Sequence, residues 1–237
     1  MDYSVFQSRL LIGEQAAKRF ARYHEMLLEY NTRMDLTAVT DADEMLDRHY
    51  VDSLSVLNIE NALPKGAKLI DVGTGAGFPG LPLAIAREDI HVVLLDALKK
   101  RVGFLNDVIL DLNLKNVQAV HLRAEDAARL PLYREQFDIG MARAVAALPT
   151  LLEYVLPFVK IGGQALLWKG PSVLNELNDG RKVAKILGGT LVEPIPTPIS
   201  GRDWQHFIVP IQKSFPTLRQ YPRKSGTPSK QPLHQKP

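Results

Sequence analysis

The chain has 237 residues, 46% of them hydrophobic and 23% charged, enough for one or two domains with a sizeable core. It contains no cysteine, which excludes disulfide scaffolds, thiolate metal sites and any cysteine nucleophile, and it shows neither an apolar run fit to cross a bilayer nor a secretory leader, so a cytoplasmic protein is expected. The net charge of +3 is unevenly spread: residues 1–60 carry 6 basic against 11 acidic side chains, residues 61–212 carry 17 against 15, and residues 213–237 carry 6 against none. These three stretches read as an N-terminal helical cap, a main domain and a basic, proline-rich tail.

Within the cap, Phe6, Leu10, Ala16, Ala17, Phe20, Tyr23, Leu27 and Leu28 recur at steps of three and four and predict a helix over residues 4–30. A second helix is predicted from Asp43 to Leu57, with Asp41 and Asp43 as N-cap candidates and Leu46, Tyr50, Leu54 and Leu57 along one face. From Ala67 the rhythm changes. AKLIDVG, HVVLLD, NVQAVHL, FDIGMA, GGQALLWKG, GTLVEPI and WQHFIVPI have the β-branched, apolar character of buried strands. Between the first five lie LPLAIAR, KKRVGFLNDVILDL, EDAARL and ALPTLLEYVLPFV, all of helical character. Strand–helix alternation predicts an α/β fold with a doubly wound, mostly parallel sheet; the proline-rich link before the last strand predicts that strand antiparallel. Ligands on such sheets gather at the carboxyl ends of the strands. The tail has five prolines in 25 residues and no helical or strand period, so it is expected to be extended and partly mobile in isolation.

The segment IDVGTGAGFPG follows the first strand and opens the first helix, and Gly75, Gly77 and Gly80 satisfy the GxGxxG pattern of a dinucleotide site. Three local details oppose a pyrophosphate. Asp71 would repel it, Phe78-Pro79 crowds the helix start, and Pro79 lacks one N–H donor. A carboxylate at Asp71 suits a ligand bearing an ammonium and a sulfonium, so the loop favours S-adenosylmethionine; a tight turn that binds nothing is the bland alternative. Asp96, at the end of the second strand, can accept from ribose hydroxyls in either cofactor class or simply cap the helix that follows. Arg123-Ala124-Glu125-Asp126, after the third strand, can read an adenine amino group or be an acid pair opening a helix.

Taken together, DVGTGAGFPGLPLAI, LLDALKKRVGFL, RAED, ARAVA and WKG closely resemble the ribosomal RNA small subunit methyltransferase G family, also called glucose-inhibited division protein B. RHYVDSL in the cap and YPRKSGTPSKQPL in the tail extend the resemblance over nearly the whole chain. Departures are confined to MDLTAV, where the family has an Asn-Leu-Thr run, and to Thr74 and Ala142, where it has serines. The resemblance implies a class I methyltransferase fold and methylation of N7 of a guanine in 16S ribosomal RNA from S-adenosylmethionine. It also implies cofactor contacts at Gly73, Phe78, Ala124, Glu125 and Arg143, with Asp71 and Asp96 as supports; Gly75 and Gly77 join them from the glycine pattern.

Guanine N7 has a free lone pair at neutral pH, so its methylation needs no general base, only positioning. The chain agrees by omission: it has no Asn-Pro-Pro-aromatic motif after the fourth strand, and without cysteine it cannot form the adduct used in pyrimidine C5 methylation. Arg143 is a candidate to position cofactor or guanine O6, or to pair with an acid; Lys169 is a candidate RNA contact or a solvated lysine. Lys99, Lys100 and Arg101 crowd a helix N-terminus, where cations are disfavoured unless a phosphate joins them. With Arg223, Lys224 and Lys230 of the tail they form the expected RNA-binding set. Arg48 and Asp52 are spaced for a local helix salt bridge around a packed His49, with substrate contact by His49 as the alternative. The Hoogsteen edge of guanine is unreachable in A-form RNA, so the target must be unpaired, flipped out or presented before folding is complete. The expected partner is 16S ribosomal RNA or the small subunit, with no membrane and a monomeric chain. Rival readings are a small-molecule methyltransferase, a non-catalytic RNA-binding assembly factor and an NAD-dependent oxidoreductase.

Overall fold

The computed structural model describes residues 1–39 and 41–233. Its cap opens with α1 (Tyr3–Leu10) and α2 (Glu14–Met34). The single helix expected over residues 4–30 is therefore two, because Leu11 turns into the left-handed region (φ 53°) and Gly13 is extended where it caps α2. The second expected helix is a composite: α3 (Ala42–Met45), a π-helical turn (Leu46–Val51), α4 (Asp52–Leu54) and a 3-10 turn (Ser55–Asn58). Asp41 caps this run, its carboxylate accepting from Glu44 N at 2.8 Å. The wider π turn alters which side chains stack along the helix. Arg48 pairs back with Glu44 rather than forward with Asp52, and Asp52 turns inward, only 3% exposed. The local Arg48–Asp52 bridge expected from spacing does not form.

Eight strands follow: β1 (Lys68–Val72), β2 (His91–Asp96), β3 (Val117–His121), β4 (Phe137–Arg143), β5 (Val159–Lys169), β6 (Gly189–Leu191), β7 (Ile195–Pro196) and β8 (Phe207–Lys213). They form one sheet in the order β3-β2-β1-β4-β5-β8-β6, with β7 also on β8. The first five are parallel and β8 runs antiparallel to β5, the doubly wound arrangement the alternation predicts. Crossovers are made by α5 (Gly80–Ala86), α6 (Lys99–Asp111), α7 (Ala124–Ala127), α8 (Leu148–Val155) and α9 (Leu177–Ile186). Helix α9 was not among the sequence expectations; it buries only Gly180, Val183 and Ala184 beneath a charged outer face.

Period-two alternation divides the strands between two cores. Leu69, Val92, Leu94, Ile139, Met141, Leu166, Trp168 and Ile208 face the cap, α5 and α6. Ile70, Val72, Val93, Leu95, Ala142, Ala165, Leu167 and Val209 face α8 and α9. The same alternation places Asp71, Asp96 and Arg143, at or near the carboxyl ends of β1, β2 and β4, on the cap side.

As far as residue 233 the tail is neither free nor featureless. Thr217 is buried, α10 (Thr227–Lys230) packs against α8, and Lys213, taken as the first tail residue, closes β8 with its side chain in the interior. A proline-rich segment has few N–H groups with which to form its own structure, so its carbonyls take donors from the domain. Arg134 donates to the carbonyls of Thr217 and Tyr221, and Arg129 to that of Pro222. Among the described residues, no helix is long and apolar enough to cross a membrane, and no group of three or more metal-ligating side chains is assembled.

Candidate active site

The glycine loop is closed on itself. Gly73 N and Thr74 N donate to Leu95 O (2.8 and 3.2 Å), and Gly77 N and Phe78 N donate to Thr74 O (2.9 and 3.0 Å). Gly75 N donates to Asp96 Oδ2 and Gly80 N to Asp71 Oδ2, both at 2.9 Å. With these six donors engaged, the loop offers no cluster of free N–H groups for a pyrophosphate, which argues against the dinucleotide reading and fits a phosphate-free adenosine ligand. Gly75, at φ +62°, has open space where a Cβ would project, as a ligand cradle requires. Gly77 (φ +111°) has the opposite surroundings: a Cβ there would lie 3.0 Å from Leu81, Leu105 and the Tyr23 hydroxyl. Its glycine therefore serves close packing of the helices.

Asp71 is fully buried behind the loop, accepting from Thr74 Oγ1 (2.7 Å) as well as Gly80 N, while its Oδ1 has no hydrogen-bond partner. Burial pushes its pKa up to about 6 against the opposing pull of those two bonds. The direct counter-charge to a ligand cation read from the sequence is thus a brace beneath the loop. Asp96 accepts from Gly75 N and, at 2.8 Å, from Leu98 N, with Arg101 3.7 Å away. Each of its oxygens retains acceptor capacity for a hydroxyl, so its helix-opening role and a ribose role coexist. Phe78 is almost buried, packed among Tyr23, Tyr50, His49 and the Arg143 guanidinium. Tyr23, from α2, donates its hydroxyl to Ala76 O and so ties the cap to the loop.

Two adjoining strands and the residue just ahead of β8 aim side chains at one cap residue, Asp52. Arg143 donates to Asp52 Oδ2 (2.9 Å) and to Arg48 O (2.7 Å), His206 Nδ1 donates to Asp52 Oδ1 (2.8 Å), and Trp168 Nε1 donates to the Asp52 carbonyl (2.9 Å). Burial raises the Asp52 pKa, but the His206 bond and the Arg143 charge outweigh it and leave the carboxyl below its ordinary value. His49 stacks on Phe78 at 4.7 Å. An arginine can only donate, so His49 Nδ1 accepts from Arg143 (3.5 Å) and its Nε2–H donates to Thr37 Oγ1 (2.7 Å). Burial, then the Arg143 charge, lower its pKa to about 3, so the imidazole is neutral. Around this group lies a cleft of about 390 Å³ lined by His49, Asp52, Arg143, Trp168, Lys169 and His206, among others. Sequence spacing had singled out Arg143, but not its attachment to Asp52. His206 and Trp168 were missed; the alternation that buries Leu166 and Ile208 was the available signal for their facing the cap.

The remaining candidates separate. Lys169 is held by Ala146 O (3.0 Å) and Glu176 (3.1 Å) at the cleft edge rather than solvated. Lys99 and Lys100 are exposed at the start of α6, and Arg101 is half-buried beside Asp96. Ala124 and Glu125 open α7, where the Glu125 carboxylate accepts from Gly226 N (2.8 Å) and Asp126 from Ser225 Oγ (2.9 Å), so the tail already occupies the acid pair. Arg223, expected on RNA, is turned inward on Glu153, which is 0% exposed, through bonds of 2.7 to 3.2 Å. Desolvating Glu153 on the buried face of α8 requires a cation, and Arg223 supplies it. Lys224 and Lys230 remain exposed.

The family model described as rRNA small subunit methyltransferase G (GidB) matches residues 16–196. Ribosomal RNA small subunit methyltransferase G of Acetivibrio thermocellus is 47% identical over 223 residues, covering 94% of this chain and 90% of that one. The protein of the same name from Alkaliphilus oremlandii is 45% identical over 222 residues, covering 94% and 92%. Among solved structures, M. jannaschii TYW2 in complex with AdoMet superposes with a TM-score of 0.56 at 15% identity, covering 74% of this chain and 79% of that one. Precorrin-6y C5,15-methyltransferase from Geobacter metallireducens gives 0.50 at 16%, covering 69% and 88%. At such identities the likeness concerns the fold, a class I methyltransferase sheet.

Proposed function

The chain belongs to the rRNA small subunit methyltransferase G family, and from that premise we propose that it methylates N7 of a guanine in 16S ribosomal RNA, holding the base in the cleft under Asp52. Its methyl donor is S-adenosylmethionine, which when bound supplies an electrophilic methyl on a sulfonium. Gly75 and Asp96 fit its adenosine half, the first by leaving the cradle open and the second by its spare acceptor capacity toward ribose hydroxyls. Gly73, Ala124 and Glu125 border the same edge of the sheet.

The observation that carries the N7 reading is the family match; consistent with it, two of the cleft's titratable groups are already engaged. His49 is neutral with both nitrogens engaged, and Asp52 is held ionised by Arg143 and His206. An exocyclic amine or hydroxyl nucleophile would need its proton taken up; N7 has none to lose. Arg143 and Lys169 present cations toward guanine O6 and the adjoining phosphates, and holding nucleophile and methyl in line contributes about 7–11 kcal/mol to such a reaction. Lys99, Lys100, Lys224 and Lys230 are the phosphate contacts we favour; Arg223 is withdrawn from that set because of Glu153. Work on ribosomal RNA supports a cytoplasmic location. The test is transfer of labelled methyl to undermethylated small subunits or their RNA, followed by mapping of the product base. A single N7-methylguanine is expected; label on an amino or ribose position, or on no nucleotide, would overturn the proposal.

A further inference from the structure

One aromatic side chain at this cleft belongs to neither core. Trp204 lies on the irregular segment between β7 and β8, half-exposed, and its ring contacts are polar planes rather than apolar side chains. The Arg48 guanidinium lies 4.1 Å from its centroid, that of Arg202 4.9 Å, and the His206 ring 6.1 Å away at 23°. Arg48 and His206 also line the cleft. The segment is pinned from below by Asp47, 4% exposed, which receives Arg202 Nε (2.7 Å) and Arg9 (2.7 and 3.0 Å); Arg9 donates in turn to Ser200 O (3.0 Å). An indole and two guanidinium planes are thus held rigidly at the mouth of the cleft without being buried.

Aromatic and guanidinium planes are what single-stranded RNA bases stack on. We propose that Trp204, with Arg48, is the stacking platform for an unpaired RNA base flanking the target guanine. This rests on the ribosomal RNA reading of the cleft. The geometry selects a flanking base over the target. Trp204 does not itself line the cleft that holds the target guanine, whereas its neighbours Arg48 and His206 do, so it is the next base along the strand that it meets. Sequence preference around the target then derives from stacking at this rim as well as from contacts inside the cleft.

The chain has two tryptophans, and the other, Trp168, is 3% exposed, so Trp204 can be followed by its fluorescence. Wild type, Trp204→Phe and Trp204→Ala are compared with undermethylated small-subunit RNA as substrate and with a single-stranded oligoribonucleotide spanning the mapped target as ligand. The oligoribonucleotide should quench the wild-type signal, and the quenching should fall in Trp204→Phe to what Trp168, lining the cleft, contributes. For the RNA, KM should rise roughly 5- to 100-fold in Trp204→Ala, the loss of one base stack. It should stay within about threefold in Trp204→Phe, which keeps a ring to stack on, while S-adenosylmethionine affinity is unchanged in both. An unaltered KM in Trp204→Ala, equal damage in the two variants, or no quenching of wild type overturns the platform while methyl transfer by wild type still upholds the RNA reading. Absence of methyl transfer by wild type overturns both.

Discussion

Asp71 and His49 both feel the charge of Arg143 yet respond to pH in opposite senses. Burial raises Asp71 to about 6 from an ordinary 3.8, so the folded state favours its protonated form. That contribution is full below pH 3.8 and is lost as pH rises through 6. Asp71→Asn abolishes the titration while keeping an acceptor for Thr74 and Gly80. Its stability relative to wild type, read from urea midpoints, should improve from pH 4 to pH 6.5 and then level off. His49 is depressed from an ordinary 6.5 to about 3, so the fold favours its neutral form and loses stability as pH falls from 6.5 toward 3. His49→Gln should flatten that acid loss in the same measurement, and a difference between the two proteins that does not change with pH would refute the assignment. Asp71→Ala, which removes both loop bonds, should also weaken S-adenosylmethionine binding in a direct titration; unchanged affinity would show that the loop does not depend on this brace. The sequence pointed to both residues through DVGTG and RHYVD. Whether a carboxylate faces the ligand or the interior was settled by the strand alternation that puts Asp71 beneath α5, and no spacing rule contains that.

Among the elements, the tail departs furthest from expectation. Its composition has the marks of disorder, but its carbonyls and its Gly226 N–H are taken up by Arg129, Arg134 and Glu125, and it straps α7 and α8. Arg223→Ala would leave the buried Glu153 carboxyl without its guanidinium partner. We expect about 3 kcal/mol of destabilisation, the lower end for a broken buried pair because the arginine is itself about a quarter exposed. Adding Glu153→Gln should restore part of the loss, and chemical denaturation of the two variants checks both statements. Removing residues 214–237 should lower S-adenosylmethionine affinity as well as RNA affinity, since Glu125 loses its Gly226 partner; loss of RNA binding alone would mean that the strap has no bearing on the cofactor side. The cap shows a milder failure of the same kind. Its helical character was legible in the apolar period, whereas the break at Leu11 and the π turn at Leu46–Val51 were not: the first is a left-handed turn at an exposed residue, and the second lies where Tyr50 packs on Tyr23 and Phe78.

At the level of the whole molecule, the segment charges −5, +2 and +6 describe the chain better than their sum, but folding redistributes them. Lys213 and Arg223 turn inward to Glu135 and Glu153, and the cap's Asp47 and Asp52 are neutralised by Arg9, Arg202 and Arg143. The cations left facing solvent at the carboxyl edge of the sheet and on the strap are Lys99, Lys100, Lys224 and Lys230, among others. If Lys224 and Lys230 each neutralise a phosphate on single-stranded RNA, Lys224→Ala with Lys230→Ala should flatten the log–log salt dependence of RNA affinity by about 0.7 per contact. An unchanged slope would remove the strap from the RNA interface.

The amino-acid sequence by itself determined the fold class, the strand order of events along the chain, the family and the methyl donor, because periodicity, the glycine loop and the GAGFPGLPLAI block are local patterns that survive without neighbours. Only the tertiary structure decided which charges are available. Asp52 gathers Arg143 and Trp168 from two strands and His206 from just ahead of a third, and Glu153 claims Arg223 across 70 residues. Desolvating a carboxylate costs more than a chain can bear unless a partner is brought to it, and which partner arrives is set by sheet order and packing rather than by distance along the chain.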